Sequence, residues 1–416
     1  MSEEPVIVIG AGVVGISCAR RLQLDGHRVC VVDPEPPGQA CSYGNAGVFA
    51  IDSVTPVATP ATLRAVPRML ASPGSPLRLV AADLPRLAPW LLTFALHARP
   101  GAVAAGTQSL AALCARALAE YEPITRGSPA AELMRPTGWA TVFRHRRSLR
   151  AARAAVATLE ASGWPVRWLE GGAMQERIGG LTPRAAGAFE SSGVWMCSDP
   201  AAFVQRLAAD VAAAGGTFER RRVTRIRPLD GGASVETGAG AMRGSRVVVA
   251  AGVQSTGLAA GLGDRLGLAA ERGYHAMLAS SAGAPVMPVM AGEHKFVTTP
   301  MAAGVRLAGT SEFARADRAP DPRRYRLLLE RGRALFPGLD TRDARFWLGS
   351  RSTTPDSLPV IGRSAATPAV IYACGHQHLG LTLAGITARL VADRIADREP
   401  PLDTRPLRAN RFRFAG

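Results

Sequence analysis

A fully apolar run, Pro5-Val6-Ile7-Val8-Ile9, leads straight into Gly10-Ala11-Gly12-Val13-Val14-Gly15. Such a run of β-branched residues has the pattern of a parallel strand buried on both faces. A helical stretch follows to Asp25 and stops at Gly26, and a second strand, Arg28 to Val32, ends on Asp33. Strand, glycines, helix and strand make a βαβ start of about 30 residues. In that setting Gly10 makes the tight turn, Gly12 lets the backbone approach a pyrophosphate, and Gly15 permits close helix–strand packing. The positive end of the helix then faces the phosphates. Asp33, 21 residues after Gly12, places a carboxylate where ribose hydroxyls can donate to it and where a 2′-phosphate is repelled. The start therefore predicts an NAD or FAD site rather than an NADP site.

Around this start, 416 residues allow two or three domains, and 47% hydrophobic residues can bury a large core. The net charge is +16, yet Lys295 is the only lysine among 49 basic residues. The arginines are spread along the chain in short clusters such as Arg144 to Arg150 and Arg220 to Arg227, with few aromatics between them. No nucleic-acid partner is expected from that distribution. The six cysteines (Cys18, Cys30, Cys41, Cys114, Cys197 and Cys374) lie far apart, with no C-x-x-C pair. They read as reduced structural thiols of a cytosolic protein with no metal site. Glu3 and Glu4 precede the apolar N-terminal run where an export signal would carry basic residues. No stretch is expected to span a bilayer, which takes about 18 apolar residues.

Farther along, residues 60 to 135 read as predominantly helical with proline breaks, and Leu87 to Ala98 is apolar on most faces. That segment either packs over the cofactor domain or rests on a membrane surface. Thr137 to Phe143 and Pro165 to Leu169 are strand-like, with a helix of arginine and alanine between them. Asp199-Pro200 is an N-cap with proline in the first turn, opening a helix to about Ala214. Arg222 to Ile226 and Ala233 to Thr237 form a hairpin, Ser245 to Ala250 a buried strand, and Glu271 to Thr310 a strand-rich block. A helix is predicted from Pro322 to Phe336. Strand Val370 to Ala373, loop Gly375 to Gly380 and helix Leu381 to Ile395 then return to the style of the first segment.

Five motifs, in order, carry a resemblance that covers nearly the whole chain. Cys41-Ser42-Tyr43-Gly44-Asn45-Ala46-Gly47 follows the βαβ start, and Val247-Val248-Val249-Ala250-Ala251-Gly252 and Arg272-Gly273-Tyr274 come next. Trp347-Leu348-Gly349-Ser350-Arg351, continued by Thr354-Pro355-Asp356-Ser357-Leu358-Pro359-Val360-Ile361-Gly362, precedes the last, Gly375-His376-Gln377-His378-Leu379-Gly380-Leu381-Thr382. Together they resemble the D-amino-acid dehydrogenase and glycine oxidase branch of the FAD-dependent amine oxidoreductases. The resemblance implies an α/β fold in which a Rossmann-type FAD-binding domain (1–60, 190–257 and 348–416) is interleaved with an antiparallel-sheet substrate domain (61–189 and 258–347). It implies non-covalent FAD, with Cys374 at no clear attachment position. Cofactor contacts would come from Gly10, Gly12, Val13, Val14, Gly15, Asp33, Pro34, Ser42, Asn45, Ala46, Gly47, Val223, Ala251, Gly252, Gly375, His376, Leu379, Gly380, Leu381 and Thr382.

For chemistry, the resemblance implies hydride transfer from the α-carbon of a D-amino or D-imino acid to flavin N5. The helix starting near Leu381 would stabilise the charge of the reduced ring. Arg351 matches the carboxylate-binding arginine, since a guanidinium grips a carboxylate through two parallel hydrogen bonds; a surface or interdomain salt bridge is the other reading. His378 would touch the substrate or brace its loop, and His376 would brace the loop or contact the flavin. Tyr274, His275 and Phe296 would roof the substrate or serve as sheet packing. The G-H-Q-H-L-G loop and the Ser42 to Pro60 stretch look most like members acting on D-proline or D-hydroxyproline. A quinone or another acceptor would take the electrons, with peripheral contact to the inner face of a membrane as one arrangement. An oxygen-using glycine or sarcosine oxidase and a flavin-dependent RNA-modifying enzyme are the alternatives.

Overall fold

The computed structural model describes residues 4–72, 74–161, 163–279 and 283–412. Val6–Ile9 is buried at all four positions, so it needs partners on both edges and apolar cover on both faces. It has them: Val29–Val32 lies parallel on one edge and Arg246–Val249 on the other, with Val8 opposite both Val31 and Val248. Thr217–Glu219 extends the sheet beyond Val29–Val32, while Val370–Cys374 and the antiparallel Val360–Arg363 extend it on the far side. The six strands thus come from three distant parts of the chain. Helix Val13–Leu24 buries Ile16, Cys18, Ala19 and Leu22 and packs on the C-terminal helix Gly380–Ile395. At its start a Cβ on residue 15 would lie 1.9 Å from the Gly10 carbonyl oxygen, so only glycine fits.

A second, nine-stranded sheet is mostly antiparallel. Its path runs from the edge strand Arg345–Thr353 through Ala269–Leu278, Gly304–Phe313, Phe296–Met301, Val289–Ala291, Trp139–Phe143 and Gly187–Ser191 to Val166–Leu169, with Leu77–Leu79 pairing alongside Gly304–Phe313. The boundaries expected at 189/190 and 347/348 fall inside two of these strands. One face of this sheet packs Ala276, Leu278, Phe296 and Leu307 against Leu328 and Leu335 of the helix Pro322–Leu335. The other faces the loop at residues 41–47.

Three features depart from the sequence reading. A third strand, Gly240–Gly244, completes the expected hairpin into a meander; its glycine-rich sequence offers no alternation to read. The run Pro100–Thr125 is one helical stretch long and apolar enough to cross a membrane, because Thr107, Gln108 and Ser109 interrupt it without adding charge. Here its Leu110, Leu113, Cys114 and Ala117 are buried against the C-terminal helix. Trp90 is buried as well, donating from its indole to the Gly267 and Thr353 carbonyls at 3.1 Å each, so the Leu87 to Ala98 segment packs on the nine-stranded sheet through Trp90.

Asp264 fixes the approach to the final loop. Its carboxylate accepts from Tyr372 at 2.7 Å, from the Ala365 amide at 3.2 Å, and from the Ser364 hydroxyl and Asn410 side chain. Burial alone would raise its pKa, but these hydrogen bonds outweigh it and hold the carboxyl below its ordinary value. Its stabilisation is therefore complete above the unfolded pKa of about 3.9 and is lost as pH falls through the lower folded value. Asp264→Asn should cost about 2 kcal/mol at pH 7, with the gap to the parent closing in unfolding titrations repeated at progressively lower pH.

Candidate active site

At the nucleotide end, Asp33 is held in place by two backbone donors: the Ala11 amide to Oδ2 at 2.7 Å and the Glu35 amide to Oδ1 at 2.8 Å. A carboxylate keeps further lone pairs for hydroxyl donors. The Ser42 hydroxyl accepts from the Val13 amide at 2.9 Å, at the N-terminus of helix Val13–Leu24. Its own proton remains available to an anion. A Cβ on Gly12 would come within 3.4 Å of that hydroxyl and fill the cradle. Val14 and Pro34 beside this cradle, Ala251 and Gly252 at the end of the adjoining strand and Val223 opening the meander are all partly exposed. The donor set fits a pyrophosphate and a ribose.

Loop 41–47 is anchored by the nine-stranded sheet, by its own Asn45 and by the strand Trp195–Cys197. Thr299 donates to the Ala46 carbonyl at 2.8 Å, the Gly47 amide to Asn45 Oδ1 at 2.8 Å, and the Cys197 amide to the Gly47 carbonyl at 2.7 Å. Arg306, almost wholly buried, spends Nη1 on the carbonyls of Tyr43 at 2.9 Å and Asn45 at 2.6 Å rather than on a carboxylate. Burial pushes its pKa down to about 10, leaving it charged at neutral pH. The Tyr43 ring lies 6.0 Å from His275 and 6.1 Å from Trp347, and His275 stacks on Trp347 at 5.0 Å. These three, with Gln39, Met277, Arg345 and Phe346, line a cavity of about 280 Å³. Burial, and then the Arg306 charge, lower the His275 pKa to about 3, so the ring is neutral.

Arg351 lies opposite Glu271 across the pair of strands. Its Nη1 donates to Glu271 Oε1 at 3.1 Å, and its guanidinium lies flat over residue 273, where a Cβ would meet Nη2 at 2.3 Å. Gly273 is what lets the arginine lie against the sheet. Glu271 also accepts from Ser311 at 2.6 Å and Thr353 at 2.9 Å. Burial works to raise its pKa, but Arg351, the Ser311 hydroxyl, His378 and Thr353 together draw it below the ordinary value. His378 is exposed as a residue, yet desolvation by the surrounding protein, and then the Arg351 charge, lower its pKa against the pull of Glu271.

Around the final loop, His376 binds Thr387 through Nε2 at 2.9 Å, and burial lowers its pKa to about 4. Its ring braces the loop against the C-terminal helix, and its backbone bridges to Thr353. The Gly375 amide donates to Ser352 Oγ at 3.2 Å and the Leu379 amide to the His376 carbonyl at 2.8 Å, ahead of the helix that starts at Gly380. The first amides of that helix lack intrahelical partners. Buried Leu381 accepts at its carbonyl from Tyr121, and Thr382 Oγ1 from the Ala50 amide at 3.0 Å.

Two expected residues do not join this group. Tyr274 points to the opposite face of the sheet, donating to Glu312 at 3.0 Å, accepting from the Asp321 amide at 3.1 Å and meeting Tyr325 edge-on at 5.0 Å. Phe296 is in the core over helix Pro322–Leu335. Strand alternation excludes both. Tyr43 and Trp347 lie within motifs that give them no role, and Glu271 and Arg306 lie in none; the structure adds all four to the group. Arg306 carried a signal in the lone charge within Gly304-Val305-Arg306-Leu307-Ala308.

A family model described as FAD dependent oxidoreductase, DAO, matches residues 5–394. The chain belongs to this family. It is a flavoenzyme, and the cradle at Gly12, Ser42 and Asp33 is where this DAO-family chain would hold its FAD. A D-amino-acid oxidase of Bradyrhizobium diazoefficiens is 35% identical over 430 residues, covering 98% of each chain. A D-amino acid dehydrogenase 2 of Ralstonia nicotianae is 32% identical, covering 96% of this chain and 98% of its own. Among solved structures, glycine oxidase from Geobacillus kaustophilus matches with a TM-score of 0.74 at 23% identity, over 98% of each chain. L-proline dehydrogenase from P.horikoshii matches with a TM-score of 0.71 at 15% identity, over 96% of each. Replacing Arg306 by Met should release the carbonyls of loop 41–47 and weaken FAD retention roughly tenfold, read as the dissociation constant from recovery of free-flavin fluorescence on dilution.

Proposed function

We propose that this flavoenzyme oxidises the Cα–N bond of a D-amino or D-imino acid, with D-proline or D-hydroxyproline as the preferred class, and hands the electrons to a quinone or similar acceptor. The observation that carries this is Arg351: a guanidinium laid flat on Gly273, tied through one nitrogen to Glu271, and partly open to the cleft. Its remaining donors suit a carboxylate gripped side-on. FAD, when bound, supplies the hydride acceptor. Neutral His275 and the cleft-facing His378 flank this anchor, so no histidine cation opposes an arriving ammonium, which gives up its proton before the hydride leaves. A linear substrate leaves as an imine that water hydrolyses, whereas a cyclic amine keeps its C=N bond. Relatives named D-amino acid dehydrogenase and D-amino-acid oxidase support the same chemistry.

Anaerobic mixing with a panel of D- and L-amino acids, both hydroxyproline diastereomers and sarcosine should bleach the oxidised-flavin band rapidly only with D-imino acids. Reoxidation by a quinone analogue and not by air is expected; fast reoxidation by air would favour the oxygen-using reading. Arg351→Lys and Arg351→Ala should raise KM by about two orders of magnitude or more, the scale of losing a charge-assisted pair, with FAD retained. Unchanged kinetics would remove Arg351 from the site.

A surface for delivering electrons accompanies this reading. No side chain of helix Pro60–Ala71 is buried, and the neighbouring stretch exposes Val57, Leu70, Leu84 and Leu92 among Arg64, Arg68 and Arg86. Apolar side chains interspersed with arginines suit an anionic bilayer surface. The holoenzyme should float with anionic liposomes and not with neutral ones; protein left wholly in the soluble fraction in both cases refutes the contact.

A further inference from the structure

Glu271 stands where a site needing only a cation has no use for an acid. Its carboxylate lies 3.1 Å from Arg351, the side chain that grips the substrate carboxylate in the reading above, and its side chain is 13% exposed. Ser311 holds it from one flanking strand and Thr353 and Arg351 from the other, so three donors fix its position. Stability gives weak reason for such a pair, because replacing a buried ion pair with apolar residues is often neutral or favourable. The comparison within the same sheet is instructive: Arg272 and Glu312, 2.9 Å apart and 0% and 2% exposed, form an ion pair sealed under helix Pro322–Leu335. Arg351 is 25% exposed, so the Glu271–Arg351 pair is open to solvent and to small solutes.

The two charges act on a ligand in opposite senses. A plain carboxylate docking on the free donors of Arg351 meets the repulsion of Glu271 directly behind it. A carboxylate with an ammonium on the neighbouring carbon is attracted at both ends, since its positive charge can turn toward Glu271. We infer that Glu271 is a specificity-determining residue which makes this cleft select carboxylates bearing an adjacent ammonium over carboxylates that lack one. The inference rests on the reading of Arg351 as the carboxylate anchor. A unit charge a few ångströms away in a protein-like dielectric changes binding on the order of tenfold or more.

The test uses the holoenzyme and binding alone, followed through perturbation of the flavin absorbance. The ligands are benzoate and a cyclic amino acid of the hand that does not reduce the flavin. Glu271→Gln keeps Oε1 for Ser311 and Arg351 and reverses the Thr353 contact, its amide donating to the Thr353 hydroxyl, while removing the charge. It should bind benzoate at least about tenfold more tightly than the parent, with the amino acid bound no more tightly. Equal tightening of both ligands, or no change in their ratio, overturns the inference. A measurement on the parent protein stands independently of that variant's folding: the cyclic amino acid should bind at least about tenfold more tightly than its ring-oxygen isostere, tetrahydrofuran-2-carboxylate. Equal affinity overturns it. Arg351→Ala separates the premise from the inference: if it leaves benzoate binding unchanged, the anchor reading fails, and if it abolishes binding while Glu271→Gln leaves the ratio unmoved, only the role of Glu271 fails.

Discussion

The two-residue alternation of one strand, Ala269–Leu278, decides what the cleft contains. Successive side chains must point to opposite faces, so Glu271, Gly273 and His275 face loop 41–47 while Arg272 and Tyr274 face helix Pro322–Leu335. Each set then finds a different environment. Inward residues meet the edge strand Arg345–Thr353, which contributes Trp347 and Arg351 from the same face. Outward residues meet the sealed Glu312 carboxylate and the ring of Tyr325. A slip of one residue would exchange the two sets, burying the cleft residues and exposing the sealed ion pair.

Charge is handled in three ways within this small region. Arg272 is neutralised by a carboxylate away from solvent, Arg351 is partly neutralised where it is open to solvent, and Arg306 is held through Nη1 by carbonyl dipoles. Carbonyls have no proton to lose, so the hold of Arg306 on loop 41–47 does not depend on the titration of a partner. The loop is thereby fixed by a hydrogen-bonding geometry. The Tyr43, His275 and Trp347 rings pack on that fixed loop, which gives the cavity one stiff wall.

The sequence made the nucleotide end plain because its requirements are local. Gly10 to Gly15, the apolar strand before them and Asp33 lie within one supersecondary unit, and each has a single mechanical reason to be there. The C-terminal return was readable for the same reason: strand, loop and helix are contiguous from Val370 to Ile395. The substrate side was only half legible. Arg351 and His275 could be named from motifs, but the faces of Tyr274 and Phe296 depend on which side of the sheet a helix covers, and strands apolar at nearly every position do not say. Glu271 and Arg306 depend on register between strands far apart in sequence, which no local pattern carries. His376 and His378, two residues apart in one loop, look alike as letters; only the packing of Thr387 against the first distinguishes them.

The order of strands in the six-stranded sheet also bears on how the chain reaches its fold. Val6–Ile9 is made first yet pairs on one edge with Arg246–Val249, and that strand pairs in turn with Val370–Cys374. Such contacts close loops of more than a hundred residues before they return any pairing energy, and topologies rich in them fold slowly. Until residue 246 has been synthesised, an apolar strand edge beside the nucleotide cradle has no native partner. The central sheet is therefore completed only late in synthesis, after the last strand emerges, and until then the unpaired apolar edge of Val6–Ile9 is open to pairing with another chain.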